Sequence, residues 1–306
     1  MTGGPGADSL AAGVCALAAA VGYAAASVLQ HRAARLETVT SPWDGRLLTR
    51  LLRRPLWLAG TAADGSALVL QSVGLRFGSL QLVTLIMTLG LPLAVIADLA
   101  LDRRRDRRAL LGAIAAAGGL TVLLLAAQPT DGRTTVAGVR MFVCVAACTL
   151  AGVGVLLGAR RQSRFRGVVL GAGVGLLYAA SAALLKVCAE TDWSTLPALL
   201  TSGYPYGLVA VGALGLIANQ AAFQIRPLAP ALVALTLVEP AATIVVGYYA
   251  FGERLLTGSI RTPLIVIAAL VMVIGLVTTA HTQADGEADT SAGQPAEISG
   301  SRPLIG

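Results

Sequence analysis

A chain of 306 residues that is 56% hydrophobic and only 13% charged, with a mean hydropathy of +0.75, excludes an ordinary soluble fold. Soluble domains carry about 25% charge, which they need to cover an apolar interior. The net charge of +7 does not point to nucleic acid, because the arginines sit in short loops between apolar runs and form no patch interleaved with aromatics.

The first apolar run, Ser9–Gln30, lacks a positive leading segment and is long for the ~7–15-residue core of a signal peptide, so it reads as a retained membrane helix. Eight further runs reach the length that a bilayer demands, ~20 residues: Leu56–Leu75, Ser79–Leu101, Ala109–Ala127, Val136–Gly158, Gly167–Val187, Tyr206–Ile225, Ala229–Phe251 and Pro263–Thr282. Lipid offers the backbone no hydrogen-bond partner, so such runs must be helices. The expected fold is all-α, a polytopic membrane bundle of about nine helices. Between the first two runs, Glu37–Pro55 is basic and amphipathic, and is either a helix lying on the membrane face or a solvated loop. The segment from Gln283 to Gly306 is rich in Gly, Ser, Pro and acidic residues and reads as a disordered tail. Gly167, Gly171 and Gly175, and also Gly154 with Gly158, have the spacing of helix–helix contacts.

Orientation follows from the loops. Arg32, Arg35, Arg46, Arg50, Arg53 and Arg54 follow the first run, Arg103, Arg104, Arg105, Arg107 and Arg108 the third, and Arg160, Arg161, Arg164 and Arg166 the fifth. Fifteen of the 23 basic residues thus fall in three alternate loops, the cytoplasmic side by the positive-inside rule. The amino terminus is then outside and the carboxyl terminus inside, in a bacterial plasma membrane.

The four cysteines, Cys15, Cys144, Cys148 and Cys188, have neither CxxC spacing nor histidines nearby, and read as small core residues; no zinc site or disulfide framework is expected. His31 and His281 lie far apart at span ends, and no Ser/His/Asp or Cys/His set is visible. Neither an enzyme nor a cofactor is expected.

The chain resembles itself. Tyr23-Ala-Ala-Ala-Ser-Val-Leu29 matches Tyr178-Ala-Ala-Ser-Ala-Ala-Leu184, and Thr88-Leu-Gly-Leu-Pro92 matches Thr236-Leu-Val-Glu-Pro240. The second offset also sets Gln71 opposite Asn219. Matching helices lie five spans apart, an odd number, so the halves have opposite orientation. Inverted repeats of this kind mark secondary transporters. The expected division is residues 1–158 as a first repeat with a linking helix, 159–282 as a second, and 283–306 as a cytoplasmic tail.

Glu239-Pro240 in a late helix, with Gly252-Glu253-Arg254 at its end and one more apolar span, resembles the drug/metabolite transporter superfamily with its EamA-type repeats. Nine spans, Pro55-Leu-Trp57-Leu-Ala-Gly60 and Ser27-Val-Leu-Gln30 look closest to its NIPA-type magnesium transporters. The usual ten-helix pattern of the superfamily has a second span where Glu37–Pro55 stands.

Asp64 and Glu239 fall near the middle of their runs. An acidic group there costs roughly 2.5–3.5 kcal/mol on insertion scales, and it normally faces a cavity or a partner. Both are candidates for a cation or metal site; interhelical hydrogen bonding is the structural alternative. Pro92 and Pro240 each free the carbonyl four residues earlier, of Thr88 and Thr236, so each kink brings a carbonyl and a hydroxyl together. Gln81, Thr84 and Thr88 share one helical face, as do Thr236, Glu239 and Thr243, and Gln71, Asn219 and Gln220 are candidates for the same path. Asp98 reads as a surface partner of the neighbouring arginines, Lys186 as a snorkelling side chain, and Glu253 with Arg254 as the superfamily's helix-end pair or an interfacial ion pair. The expected function is a secondary transporter of a small solute or cation, magnesium included, with the bilayer and its substrate as partners and a homodimer as a compatible assembly. The alternative is a non-transporting membrane scaffold or receptor.

Overall fold

A computed structural model describes residues 5–35, 53–101, 107–129, 138–159, 166–190, 200–223 and 229–292. Its helices are α1 (Pro5–Arg35), α2 (Pro55–Phe77), α3 (Leu80–Met87), α4 (Gly90–Leu101), α5 (Arg107–Ala127), α6 (Gly138–Gly158), α7 (Arg166–Glu190), α8 (Tyr204–Phe223), α9 (Ala229–Val246) and α10 (Arg261–Ala292); the described residues include no strand. Six helices, α1, α5, α6, α7, α9 with its continuation, and α10, are long and apolar enough to cross a membrane. Leu80–Ala94 and Tyr204–Asn219 are shorter apolar helical stretches. The chain is thus an all-helical, multi-pass membrane type of bundle. Most of Glu37–Pro55 and the arginines at 103–105, 160, 161 and 164 lie outside the described residues, as do the side chains of His31, Asp98, Gln220 and His281.

Local chemistry sets the boundaries. Pro55 opens α2 at a first-turn position, where its missing N–H has no cost. Ser79 caps α3, its hydroxyl accepting from the Leu82 N–H at 3.1 Å. The run expected as one helix over Ser79–Leu101 breaks at Thr88–Leu89, whereas α9 continues through Pro240. Each proline deprives a carbonyl of its donor, but the first motif also holds Gly90, a weak helix former, where the second has Val238. One helix weakener bends or strains a helix; two adjacent ones end it. Beyond Val246 the helix widens into a π segment, Gly247–Phe251, closed by Gly252 at φ 68°, a left-handed conformation suited to glycine. At the other end of the chain, α10 continues past Gln283 to Ala292, so that part of the expected disordered tail is helical; the stretch has no proline to stop it before Ala292. Residues 293–306 are not described.

α1 lies along α2, and α7 along α8 and α9, while α5 and α10 run together. α6 rests mainly on α7. Glycines let backbones approach. A Cβ on Gly175 would stand 2.9 Å from the Glu239 amide nitrogen, and Gly171 abuts the Ala231 backbone, as their spacing predicts. The expectation for Gly154 and Gly158 fails, since nothing lies within 4 Å of either. Close approach of α5 and α10 uses Gly112, Gly119 and Gly275, which do not form a GxxxG step.

The buried clusters are arranged unequally along the bundle. One contains Leu75, Leu80 and Val83 from the first half, with Leu184, Val187, Val246 and Phe251 from the second. It therefore joins the halves at the end where α2 finishes, α3 starts and α7 finishes. Toward the opposite, arginine-bearing end, Ala24, Val28 and Ala94 pack within the first half, and Ala159, Leu170, Ala218, Ala222 and Ala231 within the second. Contact between the halves continues there through α5 and α10.

Candidate functional site

The site grows from two tyrosines that mark the repeat. Tyr23, in the third quarter of α1, donates its hydroxyl proton to Gln71 Oε1 on α2 at 3.0 Å. In the other half Asn219 on α8 lies beside the Tyr178 hydroxyl on α7. The sequence match pairs Tyr23 with Tyr178 and Gln71 with Asn219, and in each case the tyrosine hydroxyl lies beside the amide side chain. The sequence singled out Gln71 and Asn219 as lining residues. It used both tyrosines only as repeat markers, although their aligned positions carried the signal.

Both tyrosines lie within electrostatic reach of Asp64 and of Glu239, which brings the two carboxylates into one region. Glu239 is half-buried. Asp64 is exposed, beside the α1-facing strip of α2 formed by Gly60, Ala67 and Gly74. Neither carboxylate has an ion-pair or hydrogen-bond partner among the described residues. Asn219 Oδ1 is likewise buried without a partner among them. A protein-enclosed carboxylate with no counter-charge is costly, so this arrangement favours a cation or a proton at the site. Among the described residues no three His, Cys, Asp or Glu groups converge as a ready-made metal cage.

Two polar strips run from this region along facing helices. Gln81, Thr84 and Thr88 on α3 are all buried, as are Thr236 and Thr243 on α9. Gln81 Nε2 donates to the Ile244 carbonyl at 3.2 Å, tying the strips together. Thr88 differs from its expected role. Its hydroxyl is turned back onto the Leu85 carbonyl at 2.7 Å, satisfying its own helix end. Pro92 and Pro240 are both buried, but only the first accompanies a broken helix. Gln81 Oε1, Thr84 Oγ1 and Thr243 Oγ1 are buried without a protein partner among the described residues.

The largest departure from the sequence reading is at Lys186. Instead of snorkelling it is 4% exposed, and it contacts Glu253 Oε1 at 3.0 Å, the Gly78 carbonyl at 3.0 Å and Glu190 at 3.5 Å. Glu253, expected beside Arg254, is 0% exposed and pairs with Lys186. It also accepts from the Leu80 and Gln81 amides at 2.6 and 2.9 Å. The four cysteines are free thiols, partly buried, with Cys144 and Cys148 against the cluster that joins the halves.

Comparison with known proteins adds reach but no activity. The chain is similar to an uncharacterized protein of Corynebacterium glutamicum, 26% identical over 286 residues, covering 90% of this chain and 96% of that protein. The similarity therefore spans both halves. No protein-family profile matches the chain, and no solved structure matches it.

Proposed function

We propose that this protein is a secondary transporter of the drug/metabolite transporter type, which carries a small cation by alternating access between two inverted halves. The observation that supports the reading is a pair of tyrosines, Tyr23 bonded to Gln71 and Tyr178 beside Asn219, both within electrostatic reach of Asp64 and Glu239. A scaffold gains nothing from a repeated polar contact around two unpaired carboxylates. A transporter needs a site that both halves can present alternately. In this reading the chain crosses the plasma membrane nine times, with α3 and α4 as one broken span, the amino terminus outside and the carboxyl terminus in the cytoplasm. The carboxylates select for positive charge. Magnesium, which keeps most of its waters and takes one or two carboxylates, belongs to the eligible class alongside protons and organic amines.

The test is uptake of a panel of metal ions and cationic metabolites by proteoliposomes holding purified protein, alongside the Glu239→Gln variant. This change keeps shape and most hydrogen bonding but removes the charge. Loss of uptake in monodisperse Glu239→Gln protein is the expected result. Near-wild-type rates would return Glu239 to interhelical hydrogen bonding.

A further inference from the structure

We infer that Lys186 and Glu253, both in the second half, form a latch that grips the Gly78–Gln81 corner of the first half at one end of the bundle and must let go of it when that end opens. The latch presupposes halves that move, as the transporter reading has it, but its geometry stands apart from the carboxylate site. Lys186 lies eight residues beyond Tyr178 on α7, roughly 12 Å along the axis at 1.5 Å per residue. Gly78 and Leu80 lie a similar distance beyond Gln71.

Each contact of the pair joins one half to the other or fixes a partner in place. From the second half, Lys186 Nζ reaches the Gly78 carbonyl of the first at 3.0 Å. Glu253, also from the second half, accepts the Leu80 and Gln81 amides that open α3 of the first. Within the second half, the ammonium group is 3.0 Å from Glu253 Oε1 and lies 5.1 Å from the centre of the Phe251 ring. Local structure aims the carboxylate. The π segment ends at Gly252 in its left-handed conformation, and the Glu253 amide donates to the Gly247 carbonyl at 3.0 Å, so the chain reverses and the side chain turns inward. A Cβ on Gly247 would stand 2.7 Å from Glu253 Oε2 and 2.9 Å from Gln81 Cγ, so only glycine leaves the carboxylate its room.

Charge suits a latch for a physical reason. A purely apolar seal loses its burial free energy whenever it opens to water, about 25 cal/mol per Å². A buried charged pair gives up its bonds to the Gly78 carbonyl and the α3 amides on opening but regains hydration, which offsets much of the loss. Dry-closed and wet-open arrangements are therefore close in free energy, as a two-state element requires. The amides of Leu80 and Gln81 behave alike, exchanging one carboxylate for water.

The experiment uses full-length protein in lipid nanodiscs, with the native cysteines replaced by Ser and nitroxides attached through Phe77→Cys on α2 and Tyr206→Cys on α8, both exposed positions. Pulsed electron paramagnetic resonance then reports the separation of the halves at the latch end. Lys186→Met and Glu253→Gln should each add, or enlarge, a population at longer distance than in the parent. Unchanged distance distributions in both variants would overturn the latch. Hydrogen exchange on the unsubstituted protein guards against misfolded variants: segments 79–82 and 247–254 should exchange together, well before global unfolding. Exchange of these segments only with the whole molecule would overturn it too. Enlarged separation in protein that carries no cation supports the latch and counts against the transporter reading; unchanged separation in an active transporter does the reverse.

Discussion

Replacing each repeat tyrosine by phenylalanine tests whether the two halves present one duplicated site. Tyr23→Phe deletes a single hydroxyl, the donor to Gln71 Oε1 at 3.0 Å, and leaves the ring in place. Interhelical hydrogen bonds in membrane proteins average about 0.6 kcal/mol and reach about 1.7 kcal/mol. Gln71 is only partly buried, so water can replace the lost donor, and the stability loss should stay below about 1.7 kcal/mol. Tyr178→Phe removes the hydroxyl beside Asn219 and should likewise cost less than about 1.7 kcal/mol. Transport should suffer more than stability, because each hydroxyl faces the region of Asp64 and Glu239. The assay pairs reversible unfolding of purified protein in mixed micelles with counterflow of the cation that the uptake panel identifies. A stability loss above about 3 kcal/mol in either variant would make the tyrosines core elements, because it exceeds any single hydrogen bond of this kind. Normal counterflow in both variants would refute the duplicated site.

The glycines offer a sharper packing test. Gly119→Val should destabilise by about 1–3 kcal/mol or more, since its Cβ would meet the Ala268 carbonyl at 2.8 Å and the Met272 Cα at 2.9 Å, both backbone atoms that cannot swing aside. Gly154→Val, in open space, should stay within about 0.5 kcal/mol in the same unfolding assay. Topology reporters fused after Arg108 and after Arg166 should report cytoplasm, and one fused after Arg133 the outside; a cytoplasmic signal at Arg133 contradicts the nine-span arrangement.

Much of the fold was legible because lipid imposes a single secondary structure on long apolar runs. Every expected run is helical, the third as two helices, and most ends fall within a few residues, although α10 runs on to Ala292. The break at Thr88 was legible as a kink from Pro92, but not as an interruption, which needs Gly90 as well. The polar strips on α3 and α9 followed from helical spacing, and Gln81 reaching the Ile244 carbonyl places them face to face. Lys186 was misread because its partners, Gly78 and Glu253, are 108 and 67 residues away in the chain. Nothing local distinguishes a lysine that snorkels from one that meets a buried carboxylate. GxxxG spacing failed at Gly154 for a related reason: it records that close approach is allowed, whereas the partner helix decides whether it occurs.

The central claim, a site between the halves that opens to either side in turn, can be tested without knowing the substrate. Gln71→Cys, in protein whose native cysteines are replaced by Ser, places one thiol beside Tyr23 in the site. Its reaction with a membrane-impermeant maleimide is measured separately from each face of sealed proteoliposomes with the protein in a single, defined orientation. The account predicts labelling from both faces, with Lys186→Met increasing labelling from the side where the latch lies. Labelling from one face only, unchanged by Lys186→Met, would contradict alternating access.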